Sequence, residues 1–302
     1  MVRALFAVVQ GIVLALVGAV VVVPVADASF PGGNGKIVFV STRAASTTGS
    51  EGESDLFTIG PGGKRVTTVT ANESFEVNPR WSPGGRRIAF SRYGRAYAIY
   101  VMRADGSGAR KITSPSRAND LFPTWSPNAR QIAFVRAPAT SKSYLAGRVL
   151  VVNADGTYLR RLPFEPGEYS RLMWSPDGTM LAYSRQQHVY VVGADGSGLR
   201  RLFPSTPWIN GFAWSPDSLR IAATRDDPAP EIAVVDADGT GEATLVPDVR
   251  AADISWSPDG RKIVYQTPTG DRLAVADIAT GASRVLETGP GNAYWPDWQP
   301  LR

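Results

Sequence analysis

Glu76, Asn78, Asp253 and Asp297 are the side chains whose types could hold a hard cation, because carboxylate and amide oxygens are what calcium and magnesium prefer. If three or more of them met at one mouth, metal-assisted chemistry on a sugar or lactone would be open to the chain. A second acidic series, Asp105, Asp155, Asp195 and Asp238, precedes Gly each time. Each member falls in a different copy of a repeat, so the four cannot share one ion, and the expectation is a turn capped by its own carboxylate. Other chemistry is thinly supplied. There is no Cys and one His, His188, which excludes disulfides, thiolate nucleophiles, Cys-based zinc and multi-histidine metal sites. No nucleophile accompanies His188, and no cofactor is expected.

What positions these residues is an internal repeat. "PRWSPGGRRIAFSR", "PTWSPNARQIAFVR", "LMWSPDGTMLAYSR", "FAWSPDSLRIAATR" and "ISWSPDGRKIVYQT" place Trp-Ser-Pro at Trp81, Trp125, Trp174, Trp214 and Trp256. A partial copy, "PDWQP", adds Trp298. Each copy continues into an apolar stretch, a variable loop, a second strand-like run and an acidic Gly turn such as "ADGSG". Four short strands per unit at intervals of 40 to 49 residues is the pattern of propeller blades.

The turn chemistry agrees. In Ser-Pro-Asp-Gly, Ser suits the first turn position, Pro fixes φ at the second and Gly suits the fourth, so the first two strands reverse tightly. The Trp supplies a broad apolar face for packing between units. The stretch "GKIVFVSTR" begins mid-unit, with no Trp-Ser-Pro strand before it. Its missing innermost strand is expected from "AYWPDWQP" at the other end, which closes the ring and removes two sheet edges. The fold class is therefore all-β, a six-bladed β-propeller of four-stranded antiparallel blades whose first blade the C-terminal strand completes.

These units resemble the β-propeller repeats of the TolB family, over about residues 35–300. That resemblance implies a periplasmic propeller that binds other envelope proteins. The family's separate N-terminal α/β domain is not expected here, because few residues lie between Ala28 and the first unit. Prolyl-oligopeptidase-type peptidases carry similar repeats, but their Gly-x-Ser-x-Gly elbow is absent.

Residues 1–28 read as an export signal, with Arg3, an uncharged run and Ala26-Asp27-Ala28 before the cleavage point; a retained membrane anchor is the alternative. Residues 29–302 form the propeller, exported to the periplasm or the cell surface. The net charge of +5 permits an anionic polymer as partner, whereas no basic run exceeds two residues and nucleic acid is not expected. Basic pairs recur at the predicted outermost strands: Lys64-Arg65, Arg110-Lys111, Arg160-Arg161 and Arg200-Arg201. Edge protection is one reading and contact with an anionic polymer the other.

Repetition marks scaffold, and departures from it mark specificity. The loops before each Trp strand and those joining the second and third strands share one face. There the unrepeated Glu76, Asn78, Tyr93, Phe122, Tyr169, Arg171, Asp253 and Trp295 are expected to bind an envelope or extracellular protein. The leading expectation is a non-catalytic protein-binding scaffold; the alternatives are the metal-dependent enzyme and a surface polysaccharide-binding module.

Overall fold

The computed structural model describes residues 30–42, 54–139, 146–204, 208–226 and 229–301, so the segment read as an export signal lies outside it. The described residues contain strands and no helix. β1 (Gly33–Ser41), β2 (Asp55–Ile59) and β3 (Thr67–Thr68) open the first unit. The second holds β4 (Glu76–Trp81), β5 (Arg87–Tyr93), β6 (Tyr97–Arg103) and β7 (Arg110–Lys111). The third holds β8 (Ala118–Trp125), β9 (Gln131–Pro138), β10 (Ala146–Asn153) and β11 (Arg160–Arg161). The fourth holds β12 (Gly167–Trp174), β13 (Met180–Arg185), β14 (His188–Gly193) and β15 (Arg200–Leu202). The fifth is β16 (Gly211–Trp214), β17 (Arg220–Arg225), β18 (Glu231–Asp236) and β19 (Ala243–Pro247). The sixth is β20 (Ile254–Trp256), β21 (Lys262–Gln266), β22 (Leu273–Asp277) and β23 (Ser283–Val285), and β24 (Tyr294–Leu301) ends the chain.

Every unit is an antiparallel meander, and β24 pairs with β1 to give the order β24-β1-β2-β3, with Ile37 opposite Trp298 and Val38 opposite Asp297. The innermost strands touch in cyclic order, β24, β4, β8, β12, β16, β20 and back to β24. The third and fourth units also join edge to edge where Gly147 pairs Gly167. This is an all-β propeller closed through its first unit.

The repeated residues hold the ring together. All six repeat tryptophans are buried, and two donate across to the preceding unit: Trp125 Nε1 to the Arg80 carbonyl at 3.2 Å and Trp214 Nε1 to the Met173 carbonyl at 3.4 Å. In the fourth unit's turn the Gly178 N–H meets the Ser175 carbonyl at 2.9 Å, and Ser175 Oγ accepts the Met180 N–H at 3.0 Å. The Asp-Gly turns are capped by their own carboxylates: Asp105, Asp155, Asp195 and Asp238 each accept the N–H of the residue two positions on at 2.9 Å. Those bonds to Ser or Thr hold the four carboxyls below the usual range.

Outer-strand arginines clamp neighbouring units. Arg110 donates to the carbonyls of Ala154 (2.9 Å) and Asp155 (2.8 Å), Arg200 to that of Ala237 (3.0 Å), and Arg284 to those of Pro61 (3.1 Å) and Gly62 (3.0 Å).

Candidate functional site

The site grows out of a defect in three inner strands. Pro79, Pro123 and Pro296 lack the N–H that a ladder requires, so β4, β8 and β24 each skip register beside them. The residues just before these prolines, Asn78 (φ 54°), Phe122 (φ 56°) and Trp295 (φ 49°), adopt left-handed backbone. The three occupy equivalent places, each three residues before its repeat tryptophan. Bulges of this kind re-aim side chains beside functional sites.

Here they converge. Asn78, Phe122 and Trp295 line one open pocket of about 500 Å³ together with Phe75, Val77, Tyr93, Tyr97 and Leu121. Tyr93 stands between two rings, 6.3 Å and edge-on from Phe75 and 5.1 Å from Tyr97. Phe75 and Tyr93 are 40% and 44% exposed, an unusual surface for two adjacent rings. The wall is mostly apolar and aromatic, with the Asn78 amide and the Tyr93 and Tyr97 phenols among its polar groups.

Beside the pocket the ring axis is filled. Arg171 in β12 reaches past the fifth unit to the Asp253 carboxylate and the Ile254 carbonyl, the latter at 2.7 Å. Gly211 occupies the corresponding place in the fifth unit; a Cβ there would lie 2.5 Å from the Ala252 carbonyl oxygen. The guanidinium passes 5.7 Å over the Phe212 ring. Burial lowers the Arg171 pKa to about 10, with Asp253 opposing the shift. Below it Asp297 accepts the Trp81 N–H at 2.7 Å and faces Arg80 at 3.9 Å. Phe30 packs against this layer, leaving a residual cavity of about 10 Å³ between it, Arg80, Trp81, Trp125, Trp174 and Asp297. The axis is a core of paired charges.

A TolB β-propeller domain pattern matches residues 34–302. The chain belongs to the TolB β-propeller family. The "Tol-Pal system protein TolB" of Syntrophus aciditrophicus is 39% identical over 88 residues, which cover 28% of this chain and 19% of the relative. That of Coxiella burnetii is 41% identical over 63 residues, covering 20% of this chain and 14% of the relative. The matches therefore span a small part of those relatives' length. Among solved structures, TolB from Acinetobacter baumannii superposes with a TM-score of 0.73 at 20% identity, over 88% of this chain and 67% of that one. A nidogen/laminin complex chain reaches 0.68 at 12% identity, over 88% of this chain and 98% of that one. These two likenesses concern the fold.

Of the eight residues expected on this TolB-type face, Asn78, Tyr93, Phe122 and Trp295 share the pocket. Two are buried within the sheets. Glu76, fully buried, accepts from Arg92 Nε at 2.7 Å and from Asn72 Nδ2 at 3.0 Å, and Tyr169, 1% exposed, donates to the Glu165 carbonyl beneath Tyr183. Arg171 and Asp253 form an ion pair with each other, the first buried and the second half-buried. Phe75, Val77 and Leu121 line the same pocket without having been expected there. The x-Pro-x-Trp tetrapeptides at 78–81, 122–125 and 295–298 were the signal that could have gathered the bulges. Glu76, Asp253 and Asp297 are each drawn to an arginine of their own: Arg92, Arg171 and Arg80. Among the described residues no three His, Cys, Asp or Glu side chains group to hold a metal ion, and there is no helix long and apolar enough to cross a membrane.

Proposed function

We propose that this TolB-family propeller is a six-bladed, exported, non-catalytic scaffold that binds an envelope protein through the aromatic pocket at its ring mouth. The observation that carries the reading is the convergence of Asn78, Tyr93, Phe122 and Trp295 on one apolar concavity of about 500 Å³. Three of those side chains sit in left-handed backbone on bulges beside prolines. Largely apolar and aromatic walls with a few polar groups suit a protruding apolar side chain of a protein partner. The paired carboxylates around the axis favour this over metal-dependent chemistry.

The test is affinity capture from envelope extract by the full chain, with and without chelator, beside a Tyr93→Ala variant. A protein retained by wild type in chelator and lost by the variant supports the reading. Capture that requires a divalent cation overturns it.

A further inference from the structure

A second surface stands apart from the mouth. The acidic turns before the outer strands repeat one backbone, and the residue two positions after each turn's glycine lies in left-handed conformation. In the second, fourth and fifth units it is glycine: Gly108 (φ 65°), Gly198 (φ 65°) and Gly241 (φ 67°). In the third unit it is Tyr158, at φ 54° and 82% exposed. A bulky residue there is a conformational outlier. With its ring in water it contributes no core packing to offset that. Leu159 follows, and its counterpart in the fourth unit is Leu199; they are 47% and 59% exposed.

Cations flank these tips. Arg160 and Arg161 follow Leu159, Arg200 and Arg201 follow Leu199, and Arg110 and Lys111 precede them in the second unit, all exposed. Among the described residues none of the six has a carboxylate within ion-pair reach, and the nearby Asp105, Asp155 and Asp195 are occupied in their own turns. The three units are contiguous here. Arg110 binds the carbonyls of the third unit's turn, and a Cβ on Gly196 of the fourth would lie 2.7 Å from Pro163 of the third.

We infer that this rim, built from Tyr158, Leu159, Leu199, Lys111 and the Arg160-Arg161 and Arg200-Arg201 pairs, docks the propeller onto an anionic lipid surface. Basic side chains seek acidic headgroups, while Tyr and Leu seek the boundary between headgroups and acyl chains. The apolar tips favour a bilayer over a soluble polyanion, which would have no use for them. Projecting turn tips arranged along a rim fit a flat surface, whereas a protein partner would need a matching hollow for each. The inference is independent of the mouth.

The absence of Cys allows a direct readout. An environment-sensitive dye on full-length Leu199→Cys is titrated with phosphatidylcholine vesicles containing about a third phosphatidylglycerol, with pure phosphatidylcholine vesicles, and with dextran sulfate. We expect a blue shift on the mixed vesicles at least fivefold larger than on the others. It should drop at least threefold when Tyr158→Gly is added and vanish with Arg160→Glu/Arg161→Glu. Because Tyr158→Gly restores the glycine of the sister turns, that variant should melt no lower than its parent. The inference is overturned if the dye does not respond to the mixed vesicles, if dextran sulfate gives an equal shift, or if Tyr158→Gly binds unchanged.

Discussion

The Asp297 carboxylate accepts the backbone N–H of Trp81 at 2.7 Å across 216 residues of chain. It ties the last strand to the second unit, so ring closure involves a buried carboxyl as well as β24 pairing β1. Burial pushes the Asp297 carboxyl up to about 6, against the pull of Arg80 and of that N–H. A carboxyl raised on folding binds its proton more tightly in the native state. Its contribution is present below the unfolded value near 4 and is lost as pH rises through about 6. A shift of about two pH units corresponds to roughly 3 kcal/mol. The turn aspartates shift the opposite way, so the comparison must be with Asp297→Asn. Urea unfolding between pH 4 and pH 7 should show wild type losing stability relative to that variant. Parallel curves would remove Asp297 from the account.

Gly211 packs directly on the backbone at Ala252 and Asp253, beside the partners of Arg171. Gly211→Ala would bring a Cβ within 2.5 Å of the Ala252 carbonyl oxygen. We expect a loss of about 1 to 3 kcal/mol, as for overpacked cores. Thermal unfolding read by near-ultraviolet circular dichroism checks this, and an unchanged melting temperature would contradict it.

Trp174→Ala tests the repeat as scaffold. The ring is 8% exposed, and its Nε1 donates to the Gly178 carbonyl at 3.2 Å within the turn that the motif builds. The expected cost is roughly 3 to 5 kcal/mol. Urea denaturation measures it, and normal stability with lost partner binding would turn the motif back into a site.

Much of this architecture was legible because tight turns are written in local residues. Ser175, Pro176, Asp177 and Gly178 dictate a reversal by themselves, and five repetitions dictate a ring. Charge partners were harder to read. Glu76, expected in a loop, sits on an inner strand opposite an arginine of the next strand, Arg92, and Asp120 sits likewise opposite Arg136, 16 residues on in both cases. That common spacing, repeated in two units, was the available sign that they are scaffold. The cross-axis pair of Arg171 and Asp253 had no such local sign, because their proximity follows from ring closure. Phe30 at the axis was unreadable for the same reason: nothing in "FPGGNGK" says where a single aromatic will pack.

Lys111, Arg160 and Arg161 separate the two proposed surfaces. Arg160→Glu/Arg161→Glu should leave partner capture at the mouth within about twofold of wild type, since additivity holds between distant sites. Equal loss in both assays would mean one surface serves both.

The most direct measurement of the central claim is the affinity of the captured envelope protein for wild type, Tyr93→Ala and Trp295→Ala by isothermal titration calorimetry, with melting curves alongside. Loss of a central aromatic anchor costs about 2 kcal/mol or more, roughly thirtyfold in Kd. The account predicts that loss for Tyr93→Ala with an unchanged melting temperature, and at least the same loss for Trp295→Ala. Wild-type affinity in both variants would contradict it.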